Sequence, residues 1–176
     1  EDTGEIIRLA LLGKPNTGKS TLLNRLLDKE RSIVSDTPGT TRDVIEGRFT
    51  FRDIEFRVLD TAGIRRKRSV RESLEYYSVN RAIGSIENSD VVILVVDALD
   101  GITEQDKKIA SQIVKHQKGI VLAFNKWDKY AHISNAENAV RDRTRYLFPV
   151  LSFAPFVPVS ARDGTDHGHP LPLAHR

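Results

Sequence analysis

The chain of 176 residues has no cysteine, no methionine, a single tryptophan and no long apolar run. Without cysteine, disulfides and thiolate metal sites are excluded. The longest apolar stretch, VVILVV at 91 to 96, is far short of the ~20 residues that a membrane helix needs. No charged segment followed by an apolar one opens the chain, so no export signal is expected. The expectation is a soluble, cytoplasmic protein. Because even a first methionine is lacking, the sequence reads as a fragment or a processed product. What is present, 39% hydrophobic and 29% charged residues, suits one globular domain with a sizeable core.

Net charge is +3, from 27 Lys plus Arg against 24 Asp plus Glu, and the excess is local. Arg65, Arg66, Lys67, Arg68 and Arg71 fall within IRRKRSVR; taking these five from the 27 leaves 22 against 24. Any attraction to nucleic acid is therefore concentrated in that segment. A solvated loop is the competing reading of the same residues.

Short apolar runs alternate with amphipathic stretches, the pattern of a mostly parallel sheet wrapped by helices. Strands are predicted at Ile6 to Leu12, Val91 to Val96, Ile120 to Phe124 and Phe156 to Val159, and helices at Lys19 to Leu27, from a Thr103 N-cap onward, and at Ala136 to Leu147. The segments at 49 to 51 and 54 to 58 alternate with period 2 about Arg52-Asp53, which predicts an antiparallel hairpin at one sheet edge. A polar stretch from Asp28 to Asp43 is long enough to be a functional loop. After Arg162 the pattern stops. Residues 163 to 176, with His167 and His169, are expected to be irregular or disordered, and a final helix is missing.

GKPNTGKS, residues 13 to 20, lies between the first strand and the first helix. Glycines at 13 and 18 let backbone N–H groups turn inward around phosphate oxygens, and the helix N-terminus adds its positive end. Lys19 supplies charge to the β and γ phosphates, the Ser20 hydroxyl is placed to ligate Mg²⁺, and Asn16, Thr17, Gly18 and Thr21 complete the cradle. DTAG at 60 to 63 follows the hairpin, so Asp60 projects from a strand end toward the same metal, and the Gly63 N–H can meet a γ-phosphate. Alone, such an Asp is more often a turn former.

NKWD at 125 to 128 follows the strand ending at Phe124. Guanine shows two adjacent donors, N1–H and the 2-amino group, and the one carboxylate of Asp128 can accept both. Adenine lacks them and would leave that carboxylate unpaired, which can discriminate by roughly 10⁴. Asn125 ties the loop to the base and the phosphate loop, the stem of Lys126 covers a ring face, and Ser160 and Ala161 can offer N–H groups to O6.

With GKPNTGKS, PGTTRD, DTAG, NKWD and SA in order, the sequence resembles the translation-factor-related GTPases. It is similar, more narrowly, to the second GTPase domain of the Der (EngA) family. The residues that carry this are IVSDTPGTTRD, DTAGIRRK, YYSVNRAI, DVVILVVDALDGITEQDKKIA, NKWD and FAPFVPVSA, within residues 6 to 162. The resemblance implies a P-loop GTPase three-layer sandwich over residues 1 to 162, with a mostly parallel six-stranded sheet and one antiparallel edge strand. It implies GTP/GDP and Mg²⁺ as ligands, with Thr41 as the switch threonine that closes on Mg²⁺ beside Ser20 and Asp60. Lys19, Asn16, Thr41 and Gly63 are then the catalytic set, and Asn16 matches an asparagine that holds K⁺ in potassium-activated relatives. The implied partners are the RNA and proteins of the large ribosomal subunit, reached through a longer protein with a first GTPase domain and a KH-like domain, neither of which is in this sequence. Neither DNA nor a membrane is implied.

One departure matters. Ile64 follows DTAG, where many GTPases carry a glutamine that orients the attacking water; isoleucine has no hydrogen-bonding group, so slow intrinsic hydrolysis is expected. Three alternatives stay open: a nucleotide-sensing module with negligible turnover, a GTPase domain of the MnmE type that modifies tRNA, and a P-loop ATPase, against which NKWD speaks.

Overall fold

The computed structural model describes residues 5–28, 47–66, 69–130, 132–162 and 165–166. Thr41, the segment 29 to 46, Lys67, Arg68 and most of the tail lie outside the described residues. The strands are β1 (Ile6–Leu12), β2 (Arg48–Phe51), β3 (Ile54–Val58), β4 (Val91–Asp97), β5 (Gly119–Asn125), β6 (Phe156–Ser160) and β7 (Thr165–Asp166). The helices are α1 (Lys19–Asp28), α2 (Thr61–Arg65), α3 (Val70–Tyr76), α4 (Val79–Asn88), α5 (Glu104–Lys115) and α6 (Ala136–Leu147).

The sheet order is β2-β3-β1-β4-β5-β6-β7. Strands β3, β1, β4, β5 and β6 run parallel, and β2 closes one edge antiparallel to β3. That is the expected mixed sheet of six strands. The region after Arg162, expected to be irregular, adds the two-residue β7, paired antiparallel with β6 at Val159↔Asp166 and Ser160↔Thr165. The β2–β3 turn holds Arg52 and Asp53 at φ 49° and 64°. Two consecutive left-handed residues make a turn whose twist matches the strands it joins.

Period-2 alternation along β4 explains the layers. Val92, Leu94 and Val96 face a core built with Ala82 and Ile86 of α4 and Ile109, Ala110 and Ile113 of α5. Ile93 and Val95 face the opposite core, which holds Leu22 and Leu23 of α1. A central strand buried on both faces carries no polar residue until its last position, Asp97. Thr103 caps α5 in a capping box with Asp106. Among the described residues no helix is long and apolar enough to cross a membrane.

This topology gathers the site. The loop after β1, Asp60 after β3, Asp97 of β4, Asn125 of β5 and Ser160 of β6 all sit at the carboxyl ends of parallel strands, where open α/β sheets bind their ligands.

Candidate nucleotide site

The phosphate loop is shaped by close contacts that only glycine permits. A Cβ on Gly13 would strike the carbonyl oxygen of Val95, and one on Gly18, at φ +92°, would strike the Asn125 amide. Lys19 folds back over the loop, its Nζ donating to the carbonyls of Gly13 at 2.6 Å and Lys14 at 2.9 Å. Burial lowers its pKa from 10.5 to about 8. A phosphate arriving here would replace neutral carbonyls with full negative charge and favour the ammonium further. A cavity of about 620 Å³ is lined by Pro15, Asn16, Gly18, Lys19, Ser20 and Thr21 and by Gly63, Ile64 and Tyr76.

Asn125 is the tie between the two halves of the site. Its Nδ2 donates to the Thr17 carbonyl at 2.9 Å, and its Oδ1 accepts from the Ala161 N–H at 3.0 Å. Thr17, Asn125 and Ala161 are all buried. One amide therefore fastens the phosphate loop, the NKWD loop and the loop after β6 to one another. The Ala161 N–H that sequence assigns to guanine O6 is held by Asn125 instead. Ser160 contributes through its hydroxyl, which accepts the Asp128 N–H at 2.9 Å. The Asp128 side chain stays exposed, set by a 3-10 turn, Trp127–Lys129, whose buried Trp127 meets Phe156 edge-on with ring centroids 6.0 Å apart.

Lys126 does more than offer a stem to a ring. At φ 64°, it donates through Nζ to the Asn16 carbonyl and to Asp97 Oδ2, both at 2.7 Å. Burial pushes the Asp97 carboxyl up, but Lys126 and the backbone N–H groups of Leu99 and Asp100 outweigh it and hold the carboxyl below its ordinary range. Sequence reading missed Asp97. The signal was a lone charge closing an apolar strand. It also missed Arg25 of α1, whose guanidinium donates to the carbonyls of Ala161 at 2.9 Å and Arg162 at 2.8 Å, bracing the base-side loop from behind.

The metal side is arranged differently. Ser20 Oγ donates to the Ile64 carbonyl at 2.8 Å, and the Asp60 carboxylate accepts the Tyr76 hydroxyl. A Cβ on Gly63 would lie 2.6 Å from the Tyr76 oxygen and 2.7 Å from Asp60 Oδ1, so Ser20, Asp60 and Gly63 converge on one place. A hydroxyl and a carboxylate beside a phosphate cradle are the hard oxygen donors that suit Mg²⁺. Ile64 is buried in the core beneath α1.

A protein-family model described as 50S ribosome-binding GTPase matches residues 8–126. The chain belongs to this family. The family is one of GTPases, which speaks against the ATPase alternative. The sequence is 46% identical over 177 residues to GTPase Der of Fusobacterium nucleatum, covering 100% of this chain and 40% of that protein. It is 48% identical to GTPase Der of Treponema pallidum over 164 residues, covering 93% and 35%. The chain thus spans well under half the length of these curated relatives. Among solved structures it is similar to a point variant of Aquifex aeolicus Era bound to GDP and aluminium fluoride, with a TM-score of 0.62, 29% identity, and coverage of 92% of this chain and 53% of that one. It is also similar to Era in complex with MgGDPNP and nucleotides 1506–1542 of 16S ribosomal RNA, with a TM-score of 0.61, 28% identity, and coverage of 96% and 59%.

Proposed function

We propose that this domain is a Mg²⁺-dependent, K⁺-activated GTPase switch of a longer protein that acts in assembly of the large ribosomal subunit. The observation that carries the nucleotide part is the Asn125 tie, which joins the phosphate cradle to the guanine motif in one buried unit. Ser20 and Asp60 hold the metal, with Thr41, which lies outside the described residues, closing on it. Mg²⁺ would screen the phosphates and the charge that develops during transfer. Lys19 neutralises the β and γ oxygens, the Gly63 N–H meets the γ-phosphate, and Asp128 takes the guanine edge.

The potassium part rests on Asn16 and Ile64. The Asn16 backbone is fixed by Lys126 and its side chain is exposed at the rim of the cavity. Ile64 offers no group to orient water, and its side chain is packed into the core. A monovalent cation beside Asn16 supplies positive charge where other GTPases use an arginine finger. Ribosomal partners are supported by the family's description, by Era seated on ribosomal RNA, and by the basic segment that begins with the exposed Arg65 and Arg66. GTP turnover measured in K⁺ and in Na⁺, with and without large ribosomal subunits, tests both parts. Faster phosphate release in K⁺, and a further rise with subunits for the longer protein, is expected. Equal rates in the two salts remove the potassium proposal, and indifference to subunits removes the ribosomal one.

A further inference from the structure

Both side chains assigned to magnesium are engaged by the same stretch of chain. Ser20 is bonded to the Ile64 carbonyl of α2, and Asp60 to the Tyr76 hydroxyl at the end of α3. Tyr76 reaches the site from a helix with no buried residue of its own, and this last residue of α3 and the following Tyr77 tie the helix to the domain. At its start, Ser69 and Glu72 form a capping box. At its end, the neighbouring tyrosine, Tyr77, is buried and donates its hydroxyl to the buried Asp106 of α5, while Arg81 of α4 stacks on the Tyr76 ring at 5.3 Å. The YY pair thus faces two ways: Tyr77 is fastened to the core, and Tyr76 is aimed at the metal carboxylate.

We propose that Tyr76 is a positioning residue for Asp60 and a competitor of magnesium. In the nucleotide-free domain its hydroxyl takes the place of a metal-bound water on the carboxylate. Arrival of Mg²⁺ with a nucleotide transfers Asp60 from Tyr76 to the metal shell and Ser20 from the Ile64 carbonyl to the metal, which releases α3 from the site. Tyr77 remains anchored, so the movement is a hinge at 76–77 and not a loss of the whole segment. The proposal rests on the magnesium reading above and adds a regulatory element to it.

Tyr76→Phe tests it, because the ring and its Arg81 contact are kept and only the hydroxyl goes. Release of a fluorescent GDP analogue is measured across a Mg²⁺ titration. One hydrogen bond from an exposed hydroxyl to a carboxylate corresponds to a shift of about fivefold, so half-maximal slowing of release should occur at about one-fifth the wild-type Mg²⁺ concentration. Tyr77→Phe, the companion variant, should lower the unfolding midpoint and leave the Mg²⁺ midpoint within twofold. Amide exchange of the wild type gives a second readout. The Tyr77 N–H, bonded to the Ser73 carbonyl across the hinge, should exchange faster in Mg²⁺·GDP than in GDP with chelator. A Mg²⁺ midpoint in Tyr76→Phe equal to or above that of wild type overturns the proposal, as does exchange that slows or stays unchanged with Mg²⁺. Wild-type release that ignores Mg²⁺ altogether overturns the metal reading itself, and this proposal with it.

Discussion

Replacing Asn125 with alanine probes whether the phosphate and base loops are one mechanical unit. The side chain makes two hydrogen bonds, 2.9 Å to the Thr17 carbonyl and 3.0 Å from the Ala161 N–H. All three residues are at most 4% exposed. Truncation therefore orphans one buried acceptor and one buried donor, each at about 1–3 kcal/mol. Water entering from the adjacent cavity relieves part of this, so the expected loss is about 2–4 kcal/mol in total. A domain with roughly 5–15 kcal/mol of stability stays folded after such a loss. Urea unfolding without nucleotide should show the drop, and calorimetric titration should show GDP affinity reduced at least tenfold. Asn125→Asp keeps the acceptor for Ala161 but turns a carboxylate toward the Thr17 carbonyl, and it should be no better than alanine. A loss below 0.5 kcal/mol, on a scale set by one net hydrogen bond of about 1 kcal/mol, would refute the tie. So would a full loss of stability with GDP affinity intact, since the loops would then be positioned by something else.

The pKa of Lys19, lowered by burial to about 8, gives a pH prediction with a definite sign. Between pH 8 and 10.5 the unfolded chain holds the proton that the folded chain has released. Stability of the nucleotide-free domain should thus rise with pH across that window, by up to about 3 kcal/mol, and the penalty is full below it. Lys19→Met should flatten this rise in urea unfolding at several pH values; an unchanged slope would assign the effect to other groups. Asp97→Ala frees Lys126 from one of its two 2.7 Å partners. Loosening of the Asn16 carbonyl should quicken GDP release about five- to tenfold, on the scale of one charge-assisted bond in a partly open site, and a release rate equal to wild type would leave Asp97 without a role at the site.

Much of the scaffold was legible because its elements are set by local periodicity. The strand at Ile6–Leu12 and the helix at Ala136–Leu147 begin and end where the sequence pattern places them, and the hairpin turns at Arg52 and Asp53. Helices α3 and α4 were not legible as such. α3 buries none of its residues, and α4 buries only Ala82 and Ile86, so neither writes a full apolar stripe. The chemistry-bearing motifs were readable by residue type, but the partners of each residue were not. Ser20 meets a carbonyl 44 residues away, Asp60 a hydroxyl 16 residues away, and Lys126 a carboxylate 29 residues away. Such pairings follow from strand order, which brings sequence-distant strand ends together. The Ala161 N–H illustrates the limit: the sequence offers it to a base, and its engagement by Asn125 was not readable.

The two halves of the site are prepared to different degrees, and this orders the events of binding. On the base side, Asn125, Lys126, Ser160 and Arg25 fix the loops through bonds that do not use the exposed side chain of Asp128, the group proposed to take the guanine edge. On the proposed function, guanine would meet a formed surface there, apart from the Ala161 N–H, and little reorganisation would oppose its docking. On the metal side the same residues that would hold Mg²⁺ are bonded within the protein, and Lys19 is folded onto loop carbonyls. Each of those bonds must be exchanged for one to phosphate or metal. Discrimination of the base is thus decided by a rigid surface, whereas the phosphate and metal exchange is where binding energy becomes movement. Because Ile64 contributes its carbonyl to Ser20 and its side chain to the core, the residue that replaces the usual glutamine is itself part of that exchange. On the proposed function, loss of the Ser20 bond would free the Ile64 backbone and so couple metal binding to the placement of the segment that must order water.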